Sequence, residues 1–77
     1  MRSKPYEIDL HGLTREDAEF NLRLFFENIP PSVRQVYVIH GIGGGVLKKL
    51  CAEFWHERII ERAVCVSNPG QTVYYLN

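Results

Sequence analysis

Two histidines, each followed by glycine and each placed where an apolar run ends, are the residues of this chain best suited to chemistry. His11 closes Ile8-Asp9-Leu10-His11-Gly12, and His40 opens His40-Gly41-Ile42-Gly43-Gly44-Gly45. Imidazole changes charge near neutral pH, so a pair can divide general base and general acid duties, one taking a 2′-hydroxyl proton and the other protonating a leaving 5′-oxygen. Asp9 would orient a ring or hold a proton, although strand alternation aims it away from the Leu10 face. A second route has Asp9, His11 and His40 hold a divalent metal that activates water, which extends cleavage to DNA. Hard ions prefer several carboxylates, and only Asp9 is evident here, so the cofactor-free route leads. The plain alternative makes both histidines strand-end residues that bond loop backbone.

The glycine run adds an anion site to this edge. Amides of Gly12, Gly41, Gly43, Gly44 and Gly45 can approach a phosphate closely, and the helix that follows brings a partial positive charge. Lys48 and Lys49 in its first turns oppose the dipole unless an anion binds there; Glu53, at helical spacing from Lys49, offers them a solvated pairing instead. A phosphate-binding P-loop is excluded, since Val46-Leu47 stand where glycine and lysine are required. The dinucleotide fingerprint fails as well, because its third glycine is Val46.

These residues need strands that end together. Tyr6-Glu7-Ile8-Asp9-Leu10 alternates as a short strand with Tyr6, Ile8 and Leu10 facing a core. Thr14 to Asp17 resembles a capping box, and Ala18, Leu22, Phe25, Phe26 and Ile29 mark a helix that Pro30-Pro31 stops. Val33 to Ile39 is the most β-prone run, predicted as a central strand buried on both faces. Val46, Leu47, Leu50, Cys51 and Phe54 mark a second helix reaching about Glu57, where His56 compensates the dipole. A third strand over about Glu61 to Val66, the turn Ser67-Asn68-Pro69-Gly70 and the strand Thr72 to Leu76 complete a hairpin. The order βαβαββ predicts one α/β domain over 1–77, a two-layer sandwich with a mixed four-stranded sheet and both helices on one face. Parallel first and second strands would bring Asp9, His11, His40 and the loop to one sheet edge, where open α/β sheets bind ligands.

Composition narrows the partners. Nine basic residues balance nine acidic ones in 77, so no whole-molecule field recruits nucleic acid or an anionic membrane, and phosphate attraction must be local. Cys51 and Cys65 fit neither a metal pair nor a disulfide framework and read as buried thiols of a reducing compartment. No apolar run approaches membrane-spanning length. The expected setting is cytoplasmic, with the nucleus also open in a eukaryote. Of the aromatics, Tyr6, Tyr37, Tyr74 and Tyr75 are expected mainly in packing with their hydroxyls at the surface, with base stacking as the alternative, and Trp55 is expected to be exposed and available to a partner.

Ile8-Asp9-Leu10-His11-Gly12 resembles the L-D-L-H-G signature of the Smr (small MutS-related) domain, and His40-Gly41-Ile42-Gly43-Gly44-Gly45 fits its H-G-x-G-x-G loop. The spacing between them is similar, as is the closing Gly70-Gln71-Thr72-Val73-Tyr74-Tyr75-Leu76 strand. The resemblance implies a fold like the C-terminal domain of translation initiation factor three. It implies a nucleic-acid-binding domain and an endonuclease on RNA or DNA, with Asp9 and His11 in the cleavage motif and His40, Gly41, Gly43 and Gly45 in the loop; the residues together put RNA slightly ahead of DNA. Many family loops carry a basic residue where this one has Ile42, and a hydroxyl residue where it has Gly44. That departure favours a second reading, a noncatalytic nucleic-acid or ribosome-binding module. A protein-interaction domain without nucleic acid is a third, favoured if the Asp9/His11/His40 edge is buried.

Overall fold

The first helix begins where its cap predicts. Thr14 is extended, and its hydroxyl accepts the Asp17 amide at 3.1 Å, starting α1 (Arg15–Asn28). Ala18, Leu22, Phe26 and Ile29 are buried and Phe25 partly so, which is the expected stripe, and the chain leaves the helix at Ile29 before the two prolines. The computed structural model describes residues 6–43 and 45–77; Gly44, one of the candidate phosphate-binding residues, lies outside the described residues.

Around α1 run β1 (Tyr6–Asp9) and β2 (Gln35–Ile39), followed by α2 (Val46–Glu53), β3 (Ile59–Val64) and β4 (Gln71–Leu76). The sheet order is β1-β2-β4-β3, with β1 parallel to β2 and β4 antiparallel to both neighbours. β2 is therefore central. Register places Tyr6, Val36 and Tyr74 in one row and Ile8, Val38 and Thr72 in the next, all on one sheet face. Leu10, Val36, Val38, Tyr74 and Leu76 join Ala18, Leu22, Phe26, Leu47, Leu50, Cys51 and Phe54 in a single core, so both helices cover that face. The result is the mixed four-stranded, two-helix α/β sandwich expected.

Two elements are bounded differently from the pattern, α2 at its end and β3 at both ends. α2 stops at Glu53 rather than near Glu57: Phe54 turns extended to pack its ring 5.4 Å from that of Phe26, while its N–H closes the last helical bond to Leu50. The next carbonyl, Cys51, would be orphaned by that stop. It accepts from the Tyr74 hydroxyl at 2.6 Å and the Arg62 guanidinium at 2.9 Å. β3 runs from Ile59 to Val64, two residues earlier at each end than expected, because Ile59 pairs with Leu76 at the end of β4; a register shift falls between Ile59 and Glu61. Val46, expected in the apolar stripe of α2, is exposed at its first turn.

Arg58 has no precedent in the pattern. Its guanidinium donates to the carbonyls of Pro30, Pro31, Val33 and Asn77, at 3.2, 3.1, 2.7 and 2.9 Å, tying the α1–β2 turn to the end of β4. Charge-assisted bonds of this kind are worth about 1.5–3 kcal/mol when partly shielded. Arg58→Ala should lower unfolding free energy by about 2 kcal/mol in urea titration. Arg58→Lys should recover only part of it, because one ammonium cannot span a fork of carbonyls. An unchanged midpoint in Arg58→Ala would remove this clamp from the account.

The remaining side-chain expectations divide. Cys51 is buried, and burial pushes its thiol up to about 11, but Cys65 is only half-buried on the hairpin. The tyrosines split between faces, Tyr6 and Tyr74 toward the helices and Tyr37 and Tyr75 on the open side, so the four form no shared stacking platform. The Tyr74 hydroxyl points inward to Cys51 rather than to the surface. His56 lies past the helix end, packed 5.4 Å from the Phe26 ring and accepting the Arg58 amide, rather than compensating a dipole. Trp55 is exposed as expected.

Candidate functional site

Parallel pairing of Asp9 with Ile39 brings the carboxyl ends of β1 and β2 to one edge, and the bond from the Leu10 amide to the Ile39 carbonyl (2.7 Å) extends the ladder to its end. β4 begins at the same edge, with Gln71 opposite Ile39. Asp9–Gly12, the loop from His40 and the Gly70–Thr72 segment therefore meet in one place.

Alternation turns Leu10 into the core and leaves Asp9 and His11 outside, two residues apart on one side of the strand. The His11 amide and ring Nδ1 both lie near the same Asp9 oxygen, Oδ1, at 3.0 and 2.8 Å. A carboxylate can only accept, so Nδ1 carries the proton and Nε2 is left as the working nitrogen. The dyad is open to solvent, with the His11 side chain 70 % and the Asp9 side chain 52 % exposed. Asp9 thus does face the histidine that sequence alternation puts on its own side.

The His11 ring and then the His11 amide, both donating, hold the Asp9 carboxyl below its ordinary range. The lowered folded pKa means that this bonding contributes stability above the unfolded aspartate value and loses it as pH falls through the folded one. At such exposure the contribution is small. Its titration is nonetheless readable: the His11 amide proton should shift as acid protonates Asp9, with a midpoint below about 3.9. A midpoint at or above that value would mean the ring and amide do not bond the carboxylate in solution.

His40 is placed differently. It is 4 % exposed, and both ring nitrogens are engaged, Nδ1 with its neighbour's carbonyl on Gly41 at 2.9 Å and Nε2 with the Thr72 hydroxyl at 2.8 Å. The ring therefore holds the loop to β4 and does not face His11 as the second half of an open acid–base pair. Its location at the edge agrees with the sequence expectation; its availability for proton transfer does not.

The loop itself is built close to the dyad. A Cβ built on Gly41 would lie 3.6 Å from that of His11, and Gly41 adopts a φ of +82°, which side-chain-bearing residues rarely take. Gly70 lies underneath, its carbonyl accepting the amides of His40 at 2.8 Å and Gly41 at 3.0 Å. A side chain at Gly70 would press on the Gly41 carbonyl carbon and the Ile42 side chain at 3.3 Å. The Gly41 amide is thus committed to Gly70, and that of Gly45 to the Gly43 carbonyl at 2.8 Å. Those two amides, expected to face a phosphate, face protein instead. Gly12 and Gly43 are exposed, as are Lys48 and Lys49 on α2. Glu53, expected opposite Lys49, pairs with Arg15 across the helices at 3.3 Å. α2 starts at Gly45 without a side-chain cap.

Among the described residues no three His, Cys, Asp or Glu side chains cluster as metal ligands, and Asp9 already holds His11 with one oxygen. A depression of about 500 Å³ lined in part by Arg23, Trp55, His56 and Arg58 lies at the far ends of the helices and touches none of these groups. Thr72 and Gly70 are the site residues that the motifs did not single out. A polar residue in an otherwise apolar closing strand was the only signal for Thr72.

Fold and edge together define a small two-layer α/β domain with an exposed aspartate–histidine dyad beside a glycine loop. The chain belongs to the Smr domain family, a nucleic-acid-binding, nuclease-related family, whose model matches residues 8–71. It is similar to the Smr domain of Thermus thermophilus MutS2, seen in a crystal structure, at 26 % identity and a TM-score of 0.85, covering 94 % of this chain and 98 % of that one. No curated protein matches it. Among the described residues no helix is long and apolar enough to cross a membrane.

Proposed function

We propose that this Smr domain is an RNA endonuclease in which His11, oriented by Asp9, is the general base and the substrate's own 2′-hydroxyl is the nucleophile. The observation that carries the reading is the dyad, with Nδ1 bonded to Asp9 and Nε2 open to solvent at the sheet edge. Nε2 takes the 2′-hydroxyl proton, the 2′-oxygen forms a bond to the adjacent phosphorus, and the bond from phosphorus to the 5′-oxygen breaks. The leaving oxygen takes a proton from water, and the imidazolium returns its own to solvent. A 2′,3′-cyclic phosphate and a 5′-hydroxyl result.

His40 is assigned here to holding the loop, since a ring with both nitrogens engaged has no site left for the leaving group. RNA is favoured over DNA because a single open imidazole can activate a neighbouring hydroxyl, whereas DNA offers none. Lys48, Lys49, Gly12 and Gly43 supply the exposed groups for phosphate contact. A cytoplasmic setting suits the two free thiols.

The test is incubation of purified protein with end-labelled structured RNA and matched DNA, with and without chelator. Cutting of RNA alone, undiminished by chelator, is expected. Cutting of DNA that needs added metal would overturn the mechanism in favour of metal-activated water. Binding of RNA without cutting would support the noncatalytic nucleic-acid or ribosome-binding module instead.

A further inference from the structure

His40 and Thr72 are buried at an edge whose chemistry is on the surface, and their bond has a consequence for that surface. The Gly41 carbonyl can only accept, so the His40 proton resides on Nδ1. Nε2 of the neutral ring is then an acceptor, and the hydroxyl that meets it is that of Thr72, 32 residues away on β4. Removing the hydroxyl would leave a buried ring nitrogen without its partner and free the ring to turn or to exchange tautomers.

The ring also determines where the next peptide points. In a planar trans peptide the carbonyl and the following N–H lie in opposite directions. The Gly41 carbonyl is drawn inward to His40, so the Ile42 N–H is turned outward, at a residue that is 72 % exposed. Among the described residues no backbone carbonyl accepts it. Gly41 adjoins His11, so this donor emerges beside the dyad.

We infer that Thr72 is a positioning residue of the site: through His40 it fixes the Gly41–Ile42 peptide so that the Ile42 N–H meets the phosphate held next to His11. The inference rests on the proposed RNA-directed reading and deepens it. It also gives the loop a phosphate donor that does not depend on a basic side chain at position 42, because the contact is made by backbone. A donor aimed at the oxygen on which charge develops acts on the rate more than on ground-state affinity.

Two variants and one measurement on the native protein test this. Nitrogen-15 spectra of the native imidazoles should show His40 protonated at Nδ1; protonation at Nε2 alone would overturn the relay without any variant, which settles the matter should Thr72→Val not fold. Folded Thr72→Val should cut RNA with kcat reduced roughly ten- to a hundredfold and KM little changed, and Thr72→Ser should restore kcat. A folded Thr72→Val with native kcat would overturn the proposal. To separate it from the cleavage reading, an all-2′-deoxy single-stranded oligonucleotide serves as an uncleavable probe. It should shift the Ile42 amide resonance in the native protein and much less in Thr72→Val. That pattern upholds the positioning role even if the native protein cuts nothing, whereas equal shifts in both proteins, or none at Ile42 in the native one, would overturn it.

Discussion

His11→Ala should lower the rate of RNA cleavage by roughly 10²–10⁴-fold while leaving the unfolding midpoint almost where it was. The first part follows from the loss of the only open imidazole at the edge, and the second from its exposure, since surface side chains outside special features change stability by about 0.5 kcal/mol or less. The contrast with Asp9 is informative. Asp9→Asn keeps an oxygen that can accept the His11 amide and ring but removes the charge that supports an imidazolium, so a loss of about tenfold is expected. The pH–rate profile should separate the two roles: native protein gains rate as an imidazole gives up its proton, and His11→Ala lacks that rise. Full activity in folded His11→Ala would remove the general base from the mechanism.

A larger effect is expected from the substrate. A single 2′-deoxy substitution at the scissile nucleotide should abolish cutting at that position and leave cutting elsewhere intact. Well-oriented neighbouring nucleophiles reach effective molarities of about 10⁵ M or more, far above any external attacker, so the loss should be several orders of magnitude. Affinity should change little, because one hydroxyl contributes little to contacts dominated by phosphates. Continued cutting at the modified position would mean that water or an enzyme group attacks the phosphorus.

Much of this was legible in the residues. Helical spacing located the core stripe of α1, the Thr14 cap fixed its start, and the β-prone run from Val33 marked the central strand. The two histidines that precede glycine fell on neighbouring strand ends because a βαβ unit brings parallel strands to a common edge. The fates of those histidines were not legible. Whether a ring at a strand end faces water or β4 depends on a partner 32 residues away, and only the register of β4 brings Thr72 within reach of His40. The end of α2 was hidden for a similar reason: periodicity continues past Glu53, but Phe54 turns into the aromatic core, and Tyr74 and Arg62 satisfy the carbonyl of Cys51 from other strands. Arg58 gave no pattern at all, since its four carbonyl partners come from two separate stretches of chain, the α1–β2 turn and the end of β4. Local sequence reports the periodicity of an element and its caps; it does not report which distant groups complete a hydrogen bond.

The claim that an Asp9-oriented His11 activates the substrate's own hydroxyl is tested most directly by the ends of the products. RNA should be cut to completion in excess chelator and the new termini identified by mass spectrometry before any secondary hydrolysis. The account predicts a 2′,3′-cyclic phosphate on the upstream fragment and a 5′-hydroxyl on the downstream one, formed by the native protein and absent with His11→Ala. A 3′-hydroxyl with a 5′-phosphate would contradict it.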